Sequence, residues 1–395
     1  MKVVLPGEKA PSSYTSSVFL AGPTPRSEDV DSWRPEALAI LEEKGYDGVV
    51  FVPEPFDKKG GYESQVEWED KHLNMADCIL FWIPRSEDLP GYTTNVEFGE
   101  WFKSGKIVIG FPEEAQKVRY LESKAIENSI PVNNTLEDTV DSALSMLGKG
   151  SLREDGERNV PLFIWKTKSF QSWYKAQKNA GNRLDGAKLL WNFRVGKNKE
   201  NVFSWVLHVD VFIKDEGRNK INEFVFSRPD IACVVVACPN TTDISKTKVI
   251  IIREFRSPAA NEDCFVREIP GGSSKDTTKE MAKVIAAELK EEAGIELDPK
   301  DFQYIQSRQI CSTLSSHKAH LFAVAISERD IEKLDLDTSH GVAEDSEVTY
   351  VEVWDMEGVL ASDLIDWSML GMITKGVASI KNPKDDEDWV GGFLG

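Results

Sequence analysis

The sequence predicts an α/β domain with a doubly wound parallel sheet, followed by an α+β sandwich. Short buried strands alternate with helical segments between residues 17 and 111, and from Ile231 onward the chain is dense in strands around one acidic helix. The 395 residues are enough for two or three domains. A polar, glycine-rich stretch at 148–161 predicts a linker, so we expect domains at residues 1–147 and 162–395.

The first domain is predicted from apolar runs that are separated by helical periodicity. Strands are expected at residues 17–22, 48–55, 78–84 and 106–111, and helices at 33–44, 68–76 and 96–105. In parallel sheets of this kind, ligands bind at the carboxyl ends of the strands. We therefore expect Gly22, Asp77, the segment 84–94 and Glu97 to lie near those ends.

Two segments carry a family resemblance. FLAGP at Phe19–Pro23 and TTNVEFGEW around Glu97 resemble the nucleoside 2-deoxyribosyltransferase family. The resemblance implies a flavodoxin-like fold in which Glu97 is the nucleophile and Asp77 engages the base or the sugar. It also implies substrate contacts from Gly22, Pro23, Thr94 and Asn95. Gly91 stands where the family has a second aspartate, and Thr93 replaces a glycine.

A carboxylate suits the chemistry of an N-glycosidic bond. Breaking that bond builds positive charge at the anomeric carbon, which a carboxylate can stabilise or capture. A second base would then give transfer, and water would give hydrolysis. The alternative interpretation of Glu97 is an acidic residue near a helix N-terminus, favoured by the helix dipole. His72, one turn before Asp77, is expected to be a surface histidine.

The second domain is expected to begin with aromatic-rich helices. Residues 162–177 are predicted to be helical, and strands are predicted at 205–213 and 223–227. The tryptophans of this region could stack on a base, but at helical spacing core packing is the expectation. Further strands are expected at 231–238, 247–255, 302–314, 317–327 and 347–354, and a last helix at 361–380.

Within this domain, AAELKEEAGI places Glu288, Glu291 and Glu292 on one face of a helix, because residues i, i+3 and i+4 are neighbours there. Three like charges repel each other, and a hard divalent cation with oxygen ligands would turn that repulsion into binding. The upstream Gly271 and Gly272 predict a bend that a phosphate-bearing ligand can approach closely.

This segment resembles the Nudix box, with Glu288, Glu291, Glu292 and Gly294 in register. The family's arginine position holds Ala287, and its upstream glutamate position holds Lys279. The resemblance implies a Nudix-fold sandwich that hydrolyses a diphosphate. It also implies bound Mg²⁺ or Mn²⁺, with the three helix glutamates as ligands and Glu288 and Glu292 as catalytic residues.

The stretch REFRSPAANEDCFVREIPGG resembles the Nudix branch that acts on ADP-ribose and related sugar nucleotides. That resemblance implies that Arg253, Arg256 and Glu268 lie on the substrate side, together with Gly271 and Gly272. The alternative for the two arginines is a solvated strand edge. Glu344 and Glu347 are the candidates for the base, and Glu347 is the one assigned to the predicted site. His317 and His320 are expected to be structural.

Charge and cysteine content indicate which classes of partner and which compartment to expect. A net charge of −19 opposes binding to a nucleic-acid polymer or an anionic membrane, but not to a small nucleotide. Five scattered cysteines and no signal sequence predict free thiols and a cytoplasmic protein. Deoxyribosyltransferases complete their sites with a neighbouring subunit, so the resemblance implies a homo-oligomer.

Together these features predict a bifunctional nucleotide-processing enzyme. One domain would cleave or transfer an N-glycosidic bond, and the other would hydrolyse a nucleoside diphosphate linkage. The alternative is a nucleotide sensor in which Ala287 and Gly91 mark decayed sites. A third possibility keeps one domain active and the other regulatory.

Overall fold

The chain forms two compact units, residues 1–227 and residues 228–395. The computed structural model describes residues 1–25, 29–54, 61–197, 199–274, 278–341 and 347–380. The boundary between the units differs from the expected one, because residues 148–227 belong to the first unit rather than to a linker and the second domain.

The described part of the first unit contains a six-stranded parallel sheet. Its strands are β1 (Lys2–Val4), β3 (Ser17–Ala21), β4 (Val49–Phe51), β5 (Cys78–Trp82), β6 (Ile107–Gly110) and β7 (Val132–Asn133), in the order β1-β4-β3-β5-β6-β7. The residues of β3 to β6 are all buried, as expected for strands covered on both faces. The predicted α/β class is confirmed for this unit.

Helices cover both faces of this sheet and form two separate cores. The helices are α1 (Arg34–Glu43), α2 (Gly61–Met75), α3 (Tyr92–Trp101), α4 (Arg119–Glu127) and α5 (Leu136–Leu147). Side chains of α2, α3 and α4, such as Leu73, Phe98 and Leu121, pack in one core. Leu41 of α1 and Val140 of α5 pack in the other.

The strand order reverses between β3 and β5. From β3 the chain moves to β4 on one side, and then returns to β5 on the other. The connections that leave the carboxyl ends of β3 and β5 therefore diverge and open a crevice, which is the usual ligand site in such sheets.

Residues 148–161, expected to be a linker, are part of the folded first unit. Strand β8 (Arg153–Glu154) pairs antiparallel with β2 (Ser13–Tyr14), and a 3₁₀ helix spans Asp155–Asn159. Arg153 is fully buried. A polar and charged sequence forms a linker only when its charges face water. Here the charge of Arg153 is buried and pairs with Asp77.

The first unit ends in an antiparallel sheet of three described strands, β9 (Arg183–Val195), β10 (Asn201–Ile213) and β11 (Arg218–Ser227). It packs on α6 (Leu162–Trp165) and α7 (Lys168–Asn179) through a cluster that includes Trp165, Phe170 and Trp205. These aromatics are core residues, as expected. Trp191, on β9, differs because its side chain is half exposed.

The second unit is built on a seven-stranded mixed sheet within the described residues. Its strands are β12 (Asp230–Cys238), β13 (Lys248–Phe255), β14 (Phe265–Glu268), β15 (Gly271–Ser274), β16 (Gln303–Gln309), β17 (Lys318–Ala325) and β18 (Thr349–Asp355). Only the β12–β17 pairing is parallel among these. Gly271 and Gly272, expected in a bend, are residues of β15, which pairs with β12.

Helices lie on both faces of the mixed sheet. One core contains Ile285 and Leu289 of α8 (Thr278–Ala293). The other contains Met369 and Ile373 of α11 (Trp367–Val377). The short helices α9 (Glu328–Ile331) and α10 (Met356–Ala361) complete the described elements.

The last predicted helix is shorter than expected. The residues 361–380 were one apolar periodic run, but α10 ends at Ala361 and α11 begins at Trp367. Asp366 caps α11, since its carboxylate accepts a hydrogen bond from the Met369 N–H. Among the described helices, none combines the length and apolar character needed to cross a membrane.

Candidate active sites

In the first unit, the turn after β3 is a tightly constrained glycine turn. Gly22 has φ 151°, and a Cβ placed there would lie 2.2 Å from the Trp82 carbonyl oxygen, so only glycine fits. The Pro23 carbonyl accepts a hydrogen bond from Trp33 Nε1 at 3.1 Å. Gly22 and Pro23 therefore lie at the crevice as predicted.

Arg34 holds this turn and was not identified from the sequence. The side chain is almost fully buried, with Nη2 donating to the Gly22 carbonyl at 2.9 Å and Nε to the Leu20 carbonyl at 3.0 Å. It also forms an ion pair with Glu54 at 3.0 Å. A buried guanidinium is therefore fixed beneath the carboxyl end of β3, where it adds positive potential to the crevice.

Glu97 lies on α3, which starts beside the same turn. Gly91 caps α3 in the left-handed region at φ 59°, and a Cβ there would lie 2.7 Å from Pro23 Cγ. This close approach brings the start of α3 against the β3 turn. Glu97 is therefore placed at the crevice, in agreement with the sequence prediction.

The charge environment of Glu97 is unusual for a surface helix. Burial, followed by the negative charge of Glu69, raises the pKa of Glu97 to about 7, while Arg34 opposes that shift. Burial also raises the pKa of Glu69, whose carboxylate accepts a hydrogen bond from Gln65 Nε2 at 2.8 Å. Two carboxylates that interact in a cleft suit acid–base and nucleophilic roles. Glu69 was not identified from the sequence, since nothing local marks it as a neighbour of Glu97.

The other predicted contacts in this unit have structural partners. Asn95 Oδ1 accepts a hydrogen bond from Arg85 Nη2 at 2.6 Å, and Arg85 also donates to the Lys117 carbonyl at 3.1 Å. Thr94 is buried with 1% exposure. Asn95 therefore positions Arg85 near the start of α3.

Asp77 differs from its prediction. It precedes β5, so it lies at the amino edge of the sheet, and Glu97 follows β5 at the carboxyl edge. Its two oxygens accept hydrogen bonds from both terminal nitrogens of Arg153, at 2.8 and 2.5 Å, and the pair is fully buried. It also accepts hydrogen bonds from the backbone N–H groups of Ser17 and Leu162. The structure therefore places Asp77 in a buried ion pair and not beside Glu97.

His72 is buried rather than at the surface. Its Nδ1 lies 2.6 Å from the Trp68 carbonyl oxygen, and its ring centroid is 4.7 Å from that of Phe51. Burial lowers the pKa of His72 to about 4. A neutral histidine in ring contact with core aromatics supports packing of α2.

In the second unit, most residues of the predicted site line one cavity of about 900 Å³. Its lining includes the three helix glutamates and both glycines of β15, as well as Arg256, Glu268 and Glu347. Two further arginines, Arg228 and Arg267, line it and were missed. They come from the start of the unit and from β14, so only the sheet pairing brings them to α8.

The helix glutamates share one face of α8, as expected, but differ in exposure. Glu292 is buried with 5% exposure and accepts a hydrogen bond from the Gly271 N–H at 3.1 Å. Burial, followed by the charges of Glu288, Glu268 and Glu347, raises the pKa of Glu292 to about 9. Burial and then Glu291 also raise the pKa of Glu288. At both residues the neighbouring carboxylates therefore add to the effect of burial.

Gly272 lets the backbone of β15 approach this cluster. A Cβ at Gly272 would lie 1.9 Å from Glu288 Oε1, and one at Gly271 would lie 2.5 Å from the Ala232 carbonyl oxygen. Glycine is therefore required at Gly271, where the obstacle is backbone, whereas a side chain at Gly272 would displace the Glu288 carboxylate. Both residues lie in a strand and not in the expected bend.

The carboxylate set is chemically suited to a hard divalent cation. As their side chains stand, the described residues contain no group of three His, Cys, Asp or Glu that could enclose a metal ion. Mg²⁺ and Mn²⁺ prefer carboxylate oxygen donors of the kind that Glu288, Glu291 and Glu292 offer. The donor type therefore suits the predicted metal, and metal binding stays a prediction.

The two predicted substrate arginines separate in the structure. Arg256 lines the cavity and pairs with Glu254 at 2.7 Å and Glu268 at 3.2 Å. Arg253 instead pairs with Glu352 at 3.0 Å and covers the ring of Tyr350 at 4.2 Å. Arg253 is not among the residues that line the cavity. The alternative interpretation, an arginine on a solvated strand edge, does not describe Arg253 either, because its side chain is half-buried and paired.

Described residues on either side of the candidate bases contact the end of α8. The Gly341 N–H donates to the Glu291 carbonyl at 3.0 Å, and Thr349 Oγ1 donates to the Glu292 carbonyl at 2.8 Å. Glu347 lines the cavity, whereas Glu344 lies outside the described residues. Neither His317 nor His320 lines the cavity, and His320 Nε2 lies 3.1 Å from Asp230 Oδ2.

Comparison with known families identifies part of the first unit. Residues 15–115 match the family model described as "Nucleoside 2-deoxyribosyltransferase like". This range runs from β3 to just past β6 and contains Gly22, Arg34, Glu69 and Glu97. The chain therefore has an N-terminal nucleoside 2-deoxyribosyltransferase-like domain, while the match does not extend to the second unit. No curated protein matches the chain.

Proposed function

We propose that the chain is a bifunctional nucleotide-processing enzyme. Its first unit would cleave the N-glycosidic bond of a nucleoside or nucleotide, or transfer the sugar. Its second unit would act as a Nudix-type hydrolase on ADP-ribose or a similar sugar nucleotide. The single observation that carries the first activity is the raised pKa of Glu97 beside Glu69, at the crevice of the matched region.

The chemistry of the first unit follows from these two carboxylates. The ionised Glu97 attacks the anomeric carbon, and the bond from that carbon to the base nitrogen breaks. Glu69, whose pKa burial raises, is the candidate to donate the proton that the leaving base takes up. Attack on the same carbon by a second base then gives transfer, and attack by water gives hydrolysis, with release of Glu97 in both cases.

Glu97→Ala tests the first activity. We expect the full chain to release free base from nucleosides or nucleoside monophosphates, and Glu97→Ala to lose this release. Adding a second base should divert the sugar to a new nucleoside if the reaction is transfer. If the wild-type chain leaves every tested nucleoside and nucleotide intact, the first activity is excluded.

The second activity is supported by the carboxylate and arginine lining of the large cavity. Glu288, Glu291 and Glu292 would hold Mg²⁺ or Mn²⁺, which when bound polarises a diphosphate and activates water. Arg256 and Arg228 supply charge that suits the diphosphate oxygens. Glu347 is the candidate to take the proton of the attacking water. Water attacks one phosphorus, the bridging P–O bond breaks, and a nucleoside monophosphate and a sugar phosphate leave.

A metal-dependence assay tests the second activity. With Mg²⁺ or Mn²⁺ we expect release of a nucleoside monophosphate from ADP-ribose or a related sugar nucleotide, abolished by chelation and by Glu292→Gln. A chain that leaves a panel of dinucleotides and sugar nucleotides intact in the presence of metal would contradict it. If such a chain still shows a ligand-induced thermal shift, the sensor alternative is supported.

A further inference from the structure

A second, smaller cavity of about 260 Å³ lies beside the large one in the unit of residues 228–395. It is formed between β16, β17 and α11, and its lining includes Arg308, Leu321, Trp367, Gly371 and Lys375. None of these residues belongs to the carboxylate site. Their chemistry is aromatic and cationic, which differs from the acidic surface at α8.

The two cavities are neighbours. Met372 lines both of them. Cys233 of β12 lines the large cavity and Leu321 of β17 lines the small one, and these two residues are paired across adjacent strands. Of two consecutive residues, Asp366 lines the large cavity and Trp367 lines the small one. A ligand that extends from the large cavity past Met372 would enter the small one.

The small cavity has an exposed aromatic side chain on which a base can stack. No aromatic side chain lines the large cavity among the described residues, so it offers a base no ring to stack on. Trp367 is 88% exposed, and the described residues give its ring no aromatic partner. A large exposed ring at the rim of a cavity is suited to stacking, since every base has a π-face.

Gly371 and two cations complete the small cavity. Glycine is unfavourable inside a helix, yet Gly371 lies within α11, and a Cβ built on it would meet no atom within 4 Å. The open space beside it lets a flat group approach the helix. Arg308 and Lys375 form no ion pair within the described part of the chain, so their charges are available to a phosphate.

We propose that the small cavity binds the nucleobase end of the substrate whose diphosphate lies in the large cavity. The base stacks on Trp367 and lies over Gly371, and Arg308 and Lys375 face the negative charge of the adjoining phosphate. This inference rests on the proposed diphosphate hydrolase function and names the part of the substrate that the smaller cavity selects.

Calorimetric titration of the full-length chain tests the proposal. The Glu97→Ala variant serves as background, so that ligands are not consumed at the first site, and no metal is added. AMP and ribose 5-phosphate serve as probes because they differ in the base. We expect AMP to bind at least tenfold more tightly than ribose 5-phosphate, as a stacked base contributes that much to affinity.

Variants of the small cavity locate that preference. Trp367→Ala and Gly371→Leu are expected to weaken AMP binding about tenfold or more and to leave ribose 5-phosphate unchanged, whereas Trp367→Phe retains most of the affinity. Leu360→Ala, at another exposed apolar residue of this unit, is the matched control and should bind as the background does. Equal affinity for the two probes, or AMP binding that ignores Trp367 and Gly371, overturns the proposal.

A separate assay distinguishes this inference from the function on which it rests. Hydrolysis of ADP-ribose with Mg²⁺ is measured on the chain without substitutions and on Trp367→Ala alone. If hydrolysis is absent but AMP binding depends on Trp367, the base site stands and the hydrolase function fails. If hydrolysis occurs but Trp367→Ala changes neither KM nor AMP affinity, the hydrolase function stands and the base site fails.

Discussion

At the scale of single residues, burial decides which acidic groups are available for chemistry. Glu97 and Asp77 are both acidic residues of the first unit, and they have opposite environments. At Glu97, burial and the charge of Glu69 raise the pKa to about 7, although Arg34 opposes the shift. Asp77 instead forms a buried ion pair with Arg153 and accepts hydrogen bonds from backbone N–H groups. Burial therefore has opposite outcomes, a pKa near neutral pH at Glu97 and a structural ion pair at Asp77.

The pKa of Glu97 predicts the pH dependence of N-glycosidic cleavage. The nucleophile must be ionised, so kcat/KM should fall about tenfold per pH unit below roughly pH 7. Glu69→Gln removes a negative charge, which lowers the pKa of Glu97 and moves this acidic limb to lower pH. Glu67→Gln, at an exposed position of the same helix, is the control. A limb that Glu69→Gln leaves in place would contradict the assignment.

The Asp77–Arg153 pair predicts a stability effect. Arg153→Met leaves a buried carboxylate without its counter-charge, and breaking such pairs costs about 3–5 kcal/mol. Urea denaturation of the full chain measures the loss. Lys124→Met breaks the exposed Lys124–Glu127 pair, which solvent screens, and should leave stability nearly unchanged. A similar result for both variants would show that Asp77 does not depend on Arg153.

At the scale of elements, the sequence predicted that the α8 glutamates share one face of a helix, because helix geometry depends only on nearby residues. The same residues acquire their function from β15, which approaches through glycine. Gly271 donates to Glu292 and Gly272 lies against Glu288. The sequence predicted that Gly271 and Gly272 form a bend. In the structure they belong to a strand, because β15 pairs with β12. Strand pairing depends on residues far away in the chain, which local sequence does not contain.

The contact between β15 and α8 predicts a loss of hydrolysis for Gly272→Ala. The added Cβ would lie 1.9 Å from Glu288 Oε1, so the Glu288 carboxylate must move away from the metal site. We expect metal-dependent hydrolysis to fall at least tenfold, since small displacements of catalytic groups have large effects on rate. Gly99→Ala is the control, because a Cβ there meets no atom within 4 Å. Full activity of Gly272→Ala would show that Glu288 does not act from this position.

At the scale of the whole molecule, each compact unit contains a candidate site of its own. Glu97 and its neighbours lie within residues 1–227, and the carboxylate cavity lies within residues 228–395. A bifunctional enzyme and a sensor with decayed sites differ in turnover rather than in fold. The departures at Gly91 and Ala287 therefore have to be judged by activity.

Separate sites predict separable activities. Glu97→Ala should abolish release of base and leave diphosphate hydrolysis unchanged, and Glu292→Gln should have the reverse effect. Both assays are run on the same full-length preparations, with ligand-induced thermal shift as the check on folding. A single variant that removes both activities would contradict two independent sites. One activity present and the other absent in the wild type supports the alternative in which one unit is regulatory.

The sequence by itself determined the elements whose signal is local. The buried strands of the parallel sheet, the acidic face of α8 and the glycine turn after β3 each depend on residues within a few positions of one another. Tertiary structure alone decided which distant side chains meet: Arg34 with Gly22, Glu69 with Glu97, Arg153 with Asp77, and Arg228 with the α8 cavity. Charge and burial depend on those long-range contacts. An acidic residue is therefore part of a structural ion pair at Asp77, where it meets a buried guanidinium, and has a raised pKa at Glu97, where burial and a second carboxylate act together.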